Sequence, residues 1–132
     1  GFVGPMGSIA IGLVSGVVCL WGVGGLKRML KVDDAFDVFG VHGLGGIVGA
    51  ILTGVFAAQG LGGTGGLTPD TFSMGAQLWI QVKSVLFTIV WSGVVSFVAY
   101  KIADLLVGLR VSEEAERQGL DISYHGETAY NR

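Results

Sequence analysis

Charge is scarce in this chain. Asp, Glu, Lys and Arg make up 14% of its 132 residues, against about 25% in soluble domains. Basic residues number 8 against 10 acidic ones, so no cationic face exists to neutralise the phosphates of a nucleic acid. A single cysteine, Cys19, excludes an internal disulfide and leaves no thiolate partner for a metal site. It reads as a small packing residue. Prolines number only 2, and there is no opening methionine, basic leader or signal peptide ahead of the first apolar residues. The expectation is a piece of a longer membrane protein. What is abundant is glycine, 24 residues, and apolar side chains, 51%. With so few charges, gathered in a few places, that is a membrane composition.

Three stretches are long enough to cross a bilayer, which takes about 20 residues of helix. The sequence predicts helices near 3–26, 38–58 and 76–108. Pro5 suits a first turn, and Ser8, Gly12 and Gly16 recur every four residues as a small-residue face for a close neighbour. Lys27, Arg28 and Lys31 close the first span. The second ends in "QGLGGTGGLTP", a loop without helix propensity. The third has Lys83 near one end and Lys101 and Asp104 near the other, with Trp79 and Tyr100 suited to interfacial belts and Trp91 expected as a buried packing anchor. Its length, about 50 Å at 1.5 Å per residue, requires tilt or projection beyond the bilayer. The first loop is basic, the second carries no Lys or Arg, and Arg110 and Arg117 follow the third helix. That asymmetry puts the first loop and the C-terminus on the cytoplasmic side. The expected division is a transmembrane part, 1–110, and a cytoplasmic tail, 111–132. In the tail Ser112 is placed to cap a short helix over 112–118, which Gly119 stops. The "LDISYHGETAYNR" that follows is too apolar for a merely solvated tail and suits docking.

The chemistry centres on "DDAFDVFGVHGLGGIVGAILTGVFA". On a helix His42, Gly46, Ala50 and Gly54 share one face at four-residue spacing. An ionisable residue inside a membrane segment is a functional hypothesis by default. Neutral imidazole donates and accepts at once, and it can carry a proton, as a narrow apolar passage for a small polar solute requires. The competing reading is a core histidine bonded to a carbonyl, with the glycines serving packing. A metal site is poorly supported, since His42 supplies one ligand and His125 lies far away in the tail; no nucleophile motif accompanies His42, so an enzyme is not expected. Asp37 is favoured as the side-chain N-cap of the second helix, while Asp34 is free to attract cations at a cytoplasmic mouth.

"VDDAFDVFGVHGLGGIVGAILTGVFA" resembles the tenth transmembrane segment of the ammonium transporter family, and "LWGVGGLKRMLKVDD" the approach to it. "TIVWSGVVSFVAYKIADLLVGLRVSEEAERQGLDISYHGETAYNR" resembles that family's last helix and tail. The resemblance covers nearly the whole chain. It implies an all-α membrane protein: three transmembrane helices plus cytoplasmic tail, part of an eleven-helix fold that assembles as a homotrimer in a membrane, here a bacterial plasma (inner) membrane. It implies that ammonium is deprotonated at the outer mouth and that ammonia crosses an apolar pore lined by two histidines. His42 matches the second histidine, and Val38, one turn earlier, a pore-lining apolar position. The tail, with Asp121, His125, Gly126, Glu127 and Tyr130 in its "GLD…HGE.AY" pattern, matches a regulatory segment contacting a PII-type signalling protein. No cofactor is implied. Partners are ammonium or ammonia, sibling subunits, the rest of the same transporter, the PII-type protein and membrane lipid, and no nucleic acid. This chain does not contain the first histidine, so alone it is not expected to transport. The alternative is a non-transporting membrane interaction module that binds sibling subunits or a PII-type regulator.

Overall fold

A computed structural model of the chain describes residues 1–31 and 34–128. Among these the regular structure is entirely helical. Three helices are long and apolar enough to cross a membrane: α1 (Pro5–Leu30), α2 (Phe39–Phe56) and α3 (Met74–Val107). Two short helices follow, α4 (Glu113–Gln118) and α5 (Leu120–His125). By its contacts the chain divides into two units, Gly1–Ile89 and Val90–Arg132.

In the first unit Pro5 opens α1, where its missing N–H is no loss. The helix outlasts the expected end near residue 26 and closes with Lys27 and Arg28 in its last turn, where cations suit the negative end of the dipole. Lys31 terminates it in the left-handed conformation, φ 52°. Helix α2 returns antiparallel to α1. At one end Gly7 lies against the Phe56 side chain; at the other Gly22 lies against Gly40, with Cys19 against Gly45 between them. A Cβ on Gly40 would stand 3.1 Å from both the Gly22 carbonyl carbon and the Val23 nitrogen. Backbone meets backbone there, which only glycine permits.

Both helices are irregular at that contact. Gly22–Leu26 in α1 and Phe39–Gly43 in α2 are π turns, with i→i+5 hydrogen bonds and one extra residue each. The turns share a sequence pattern, aromatic–Gly–Val–x–Gly: "WGVGG" at 21–25 and "FGVHG" at 39–43. In each the aromatic ring covers the closing glycine. A Cβ on Gly25 would meet the Trp21 ring at 2.7 Å, and one on Gly43 the Phe39 ring at 2.7 Å.

The glycine-rich loop carries more helix than its composition suggests, in two 3-10 turns, Gln59–Leu61 and Pro69–Thr71. It is tied to the start of the chain, since the Thr64 N–H donates to the Phe2 carbonyl at 2.9 Å. Ala57 and Ala58 are the buried apolar residues of the described chain, whereas many large apolar side chains are exposed. A water-soluble fold of this size does the opposite; apolar surface that faces lipid needs no such burial. Gly54 of α2 packs on Leu78 and Gln81 of α3, and Lys83 sits 5.8 Å over the Trp79 ring, so its stem follows the helix surface.

In the second unit α3 ends at Gly108, φ 75°, whose N–H bonds the Asp104 carbonyl. Trp91 is 63% exposed and is not the buried anchor expected of it. Val90, Val94 and Val95 around it are exposed as well.

Gly40→Ala should destabilise the α1–α2 pair by about 1–3 kcal/mol, because backbone rather than side chain must give way. Gly46→Ala, with nothing within 4 Å of the new carbon, should be neutral or stabilising by up to about 1 kcal/mol. Unfolding of the two variants in detergent micelles reads the contrast; equal stability would remove the close contact as the reason for glycine at 40.

Candidate functional site

The π turn of α2 carries His42. Gly40 faces α1 and is buried; Val38 and His42 are exposed, and Gly46 has open space around it. Two residues along a helix correspond to roughly half a turn. Burying Gly40 against Gly22 therefore turns His42 to the opposite, open side. The expected His42/Gly46/Ala50/Gly54 face holds only for its first members. Each four-residue step overshoots a full turn by about 40°, and by Gly54 the line has rotated onto α3.

The turn is anchored at its start by carboxylates, in a different arrangement from that expected. Asp34, not Asp37, caps the helix by its side chain. Its two carboxylate oxygens accept from the Val38 N–H at 2.8 Å and the Phe39 N–H at 3.0 Å. Asp37 contributes its carbonyl, which accepts from the Val41 N–H at 2.9 Å, while its carboxylate turns away to Lys27. The reason is backbone conformation: Asp37 is left-handed, φ 54°, whereas a capping side chain acts from an extended residue. Lys27 Nζ, on the last turn of α1, donates to the Asp37 carboxylate at 2.7 Å and to the Asp34 carbonyl at 2.6 Å. The pair is about two-thirds buried, with side-chain exposures of 33% and 29%, so it is less screened than a surface pair. Partial burial alone would raise the Asp34 carboxyl. The N–H groups of Val38, Phe39 and Gly40 and the Lys27 charge outweigh it and hold the group below its ordinary 3.8. The sequence reading missed the π turns and Lys27. The aromatic–Gly–Val–x–Gly pattern recurs at both π turns, whereas nothing in the sequence marked Lys27.

Cys19 takes the packing place expected of it and adds a bond, its thiol donating to the Val41 carbonyl at 3.3 Å. Among the described residues no three His, Cys, Asp or Glu side chains gather as metal ligands.

The tail residues form a separate group. Ser112 caps α4 as expected, accepting from the Ala115 N–H at 3.3 Å, and Gly119, φ 96°, breaks the helix. A second helix then follows, α5, which begins with Leu120 and Asp121 and ends at His125. Gly126 caps it in the left-handed conformation, φ 65°, and the Glu127 N–H bonds the Asp121 carbonyl. The Ser123 hydroxyl donates to the Gly119 carbonyl at 2.8 Å and lies 3.3 Å from that of Ala115. Tyr130 and Asp33 lie outside the described residues.

Three membrane-length helices, two of them joined through bare glycine backbone with a histidine on the open side, define an integral helical membrane protein. Residues 1–130 match the model of the Ammonium Transporter Family. The chain is 45% identical over 132 residues to an ammonium transporter of Bacillus subtilis (strain 168), covering 98% of this chain and 32% of that protein. It is 47% identical over 131 residues to one from Aquifex aeolicus (strain VF5), covering 99% and 30%. An ammonium transporter of Archaeoglobus fulgidus is 37% identical over 130 residues, covering 98% and 32%. The chain belongs to the ammonium transporter family. It spans about a third of the length of the curated relatives it matches.

The Asp34 cap should make stability pH-dependent in one direction. A carboxyl whose folded pKa is depressed stabilises fully above its unfolded value, and the stabilisation is lost as pH falls through the lower folded value. Unfolding between pH 7 and pH 2.5 should show an acid-side loss that Asp34→Asn reduces. An identical acid-side loss in the variant would assign it to other groups.

Proposed function

We propose that the chain supplies the last three membrane helices and the cytoplasmic tail of an ammonium transporter, conducting ammonium-derived ammonia across a bacterial inner membrane through a histidine-lined apolar pore. The membrane part runs through residue 110 and the tail from 111. The observation that carries the reading is the placement of Val38 and His42 on the open side of α2, turned away from the Gly22–Gly40 contact, in a chain of this family. Further helices, outside these 132 residues, enclose the lumen and bring a second histidine to His42; the assembled transporter is a homotrimer.

The physics favours a neutral permeant. A bare ammonium ion pays heavily to leave water for an apolar constriction, and ammonia pays far less. Ammonium gives up its proton at the outer mouth, ammonia passes, and the histidine pair relays the proton. Val38 and His42 line the path. Asp34 and Asp37 stand at the cytoplasmic end, Asp34 capping α2 and Asp37 paired with Lys27.

In the full-length transporter, His42→Ala should lower proton-coupled ammonium flux by about 10²-fold, the scale of one positioned proton-transfer group, or shift selectivity toward ion-like permeation. His42→Leu should block the lumen. Flux and potassium competition are the readouts, with trimer integrity as control. Wild-type behaviour in both variants would leave His42 as a packing residue.

A second reading, a membrane interaction module that does not transport and binds sibling subunits or a PII-type regulator, draws on the tail. Leu120, Ile122 and Tyr124 of α5 are exposed, at 45%, 54% and 63%, an apolar set suited to docking. Asp121, His125, Gly126, Glu127 and Tyr130 belong to the same regulatory segment. Deleting 112–132 from the full-length protein should abolish capture of a PII-type protein or alter activity while the pore helices remain. Ammonium uptake by the intact protein decides against the non-transporting reading; unchanged uptake and PII capture after the deletion decide against a regulatory tail.

A further inference from the structure

Asp37 has an uncommon backbone at a telling place. Its φ of 54° puts it in the left-handed region, uncommon for any residue but glycine and entered by Asp and Asn when local bonds hold them there. Such a conformation persists where the surroundings over-determine it. Here one side chain joins two parts of the turn. Lys27 Nζ holds the Asp37 carboxylate at 2.7 Å and the Asp34 carbonyl at 2.6 Å, and the Asp34 carbonyl also accepts the Asp37 N–H at 3.1 Å. The tight turn 34–37 is thus closed around the Lys27 ammonium. Two features of that turn launch α2: the Asp34 carboxylate bound to the first N–H groups, and the Asp37 carbonyl bound to the Val41 N–H. The π turn follows at once and contains His42.

We propose that Lys27 is a positioning residue for His42. By clasping residues 34–37 it fixes the left-handed Asp37, and Asp37 sets the rotation at which the Phe39–Gly43 π turn begins. The inference rests on the pore reading above and goes beyond it, because Lys27 sits on the other helix and bonds the turn that precedes α2. A π turn contains one residue more than an α turn, so its collapse into regular helix would swing His42 by about 100°. The Lys27 clasp at one end and the Gly22–Gly40 contact alongside select between the two windings.

The test uses the full-length transporter. Lys27→Met removes the ammonium and leaves Arg28 and Lys31 to orient the loop. Flux per molecule in the membrane should fall by up to about 10²-fold, the scale of a displaced reacting group. The half-saturating ammonium concentration should stay unchanged, because recruitment at the outer mouth is untouched. Lys27→Arg, which still donates to both oxygens, should recover most of the flux. If Lys27→Met does not reach the membrane, Asp37→Asn carries the same readout; it keeps a side chain that tolerates φ above zero and removes the charge. Wild-type flux per molecule in Lys27→Met or its substitute overturns the proposal. So does a loss that Lys27→Arg leaves unrepaired, or one that moves the half-saturating concentration in step with the rate. His42→Ala run alongside separates the failures: impaired flux there with normal Lys27→Met flux rejects the clasp alone, and normal flux in both rejects the pore reading with it.

Discussion

The approach of two backbones, Gly22 on Gly40, is the constraint from which the rest of the first unit follows. It brings α1 and α2 closer than any side chain allows, and in lipid, where apolar burial supplies no drive, such packing is what holds helices together. Because Gly40 must face α1, the azimuth of α2 is restricted at that level. Val38 and His42 fall on the far side, and the loop between the helices must be short, basic at one end and acidic at the other. Lys27, Asp34 and Asp37 answer that need by joining the end of one helix to the start of the next.

The contact falls where both helices wind as π turns, and this links packing to chemistry. Wider winding weakens the regular ladder and lets outside groups reach the backbone. The Cys19 thiol takes the Val41 carbonyl, one residue before His42. The same five-residue motif runs into or through both turns, offset by one residue between them, with glycine at 24 where α2 has His42. The same local solution is used twice, once to pack and once to pack while presenting an imidazole.

The helices were legible because each is a long apolar run bounded by charge or glycine, and bilayer thickness makes length alone informative. The Ser112 cap was legible because capping is local chemistry three residues deep. What escaped was set by tertiary contact. Asp37 reads as a cap in any one-dimensional pattern, but Lys27, ten positions back, draws its carboxylate off and leaves the cap to Asp34. The face His42–Gly46–Ala50–Gly54 looked straight on paper and rotates in space, so that its last glycine serves α3. Trp91 read as an anchor because tryptophan usually is one, but its side chain is largely exposed. The second tail helix was missed because "LDISYH" has no helical period long enough to see, and its cap is the left-handed Gly126. Of the candidate residues, His42 stood out in the sequence as an ionisable group in an apolar run, and Val38 came only from the family resemblance. Lys27 did not stand out, since a lysine at the end of a membrane helix ordinarily orients the helix and does no more.

The account stands or falls on the open side of α2 facing the water-accessible lumen of the transporter. The most direct measurement is thiol labelling of His42→Cys in a full-length protein whose Cys19 is replaced by serine. A small, membrane-permeant thiol reagent should modify the new cysteine, and saturating ammonium should slow the reaction. A cysteine at 42 that stays unmodified in the folded transporter, or whose labelling ammonium leaves unchanged, would contradict it.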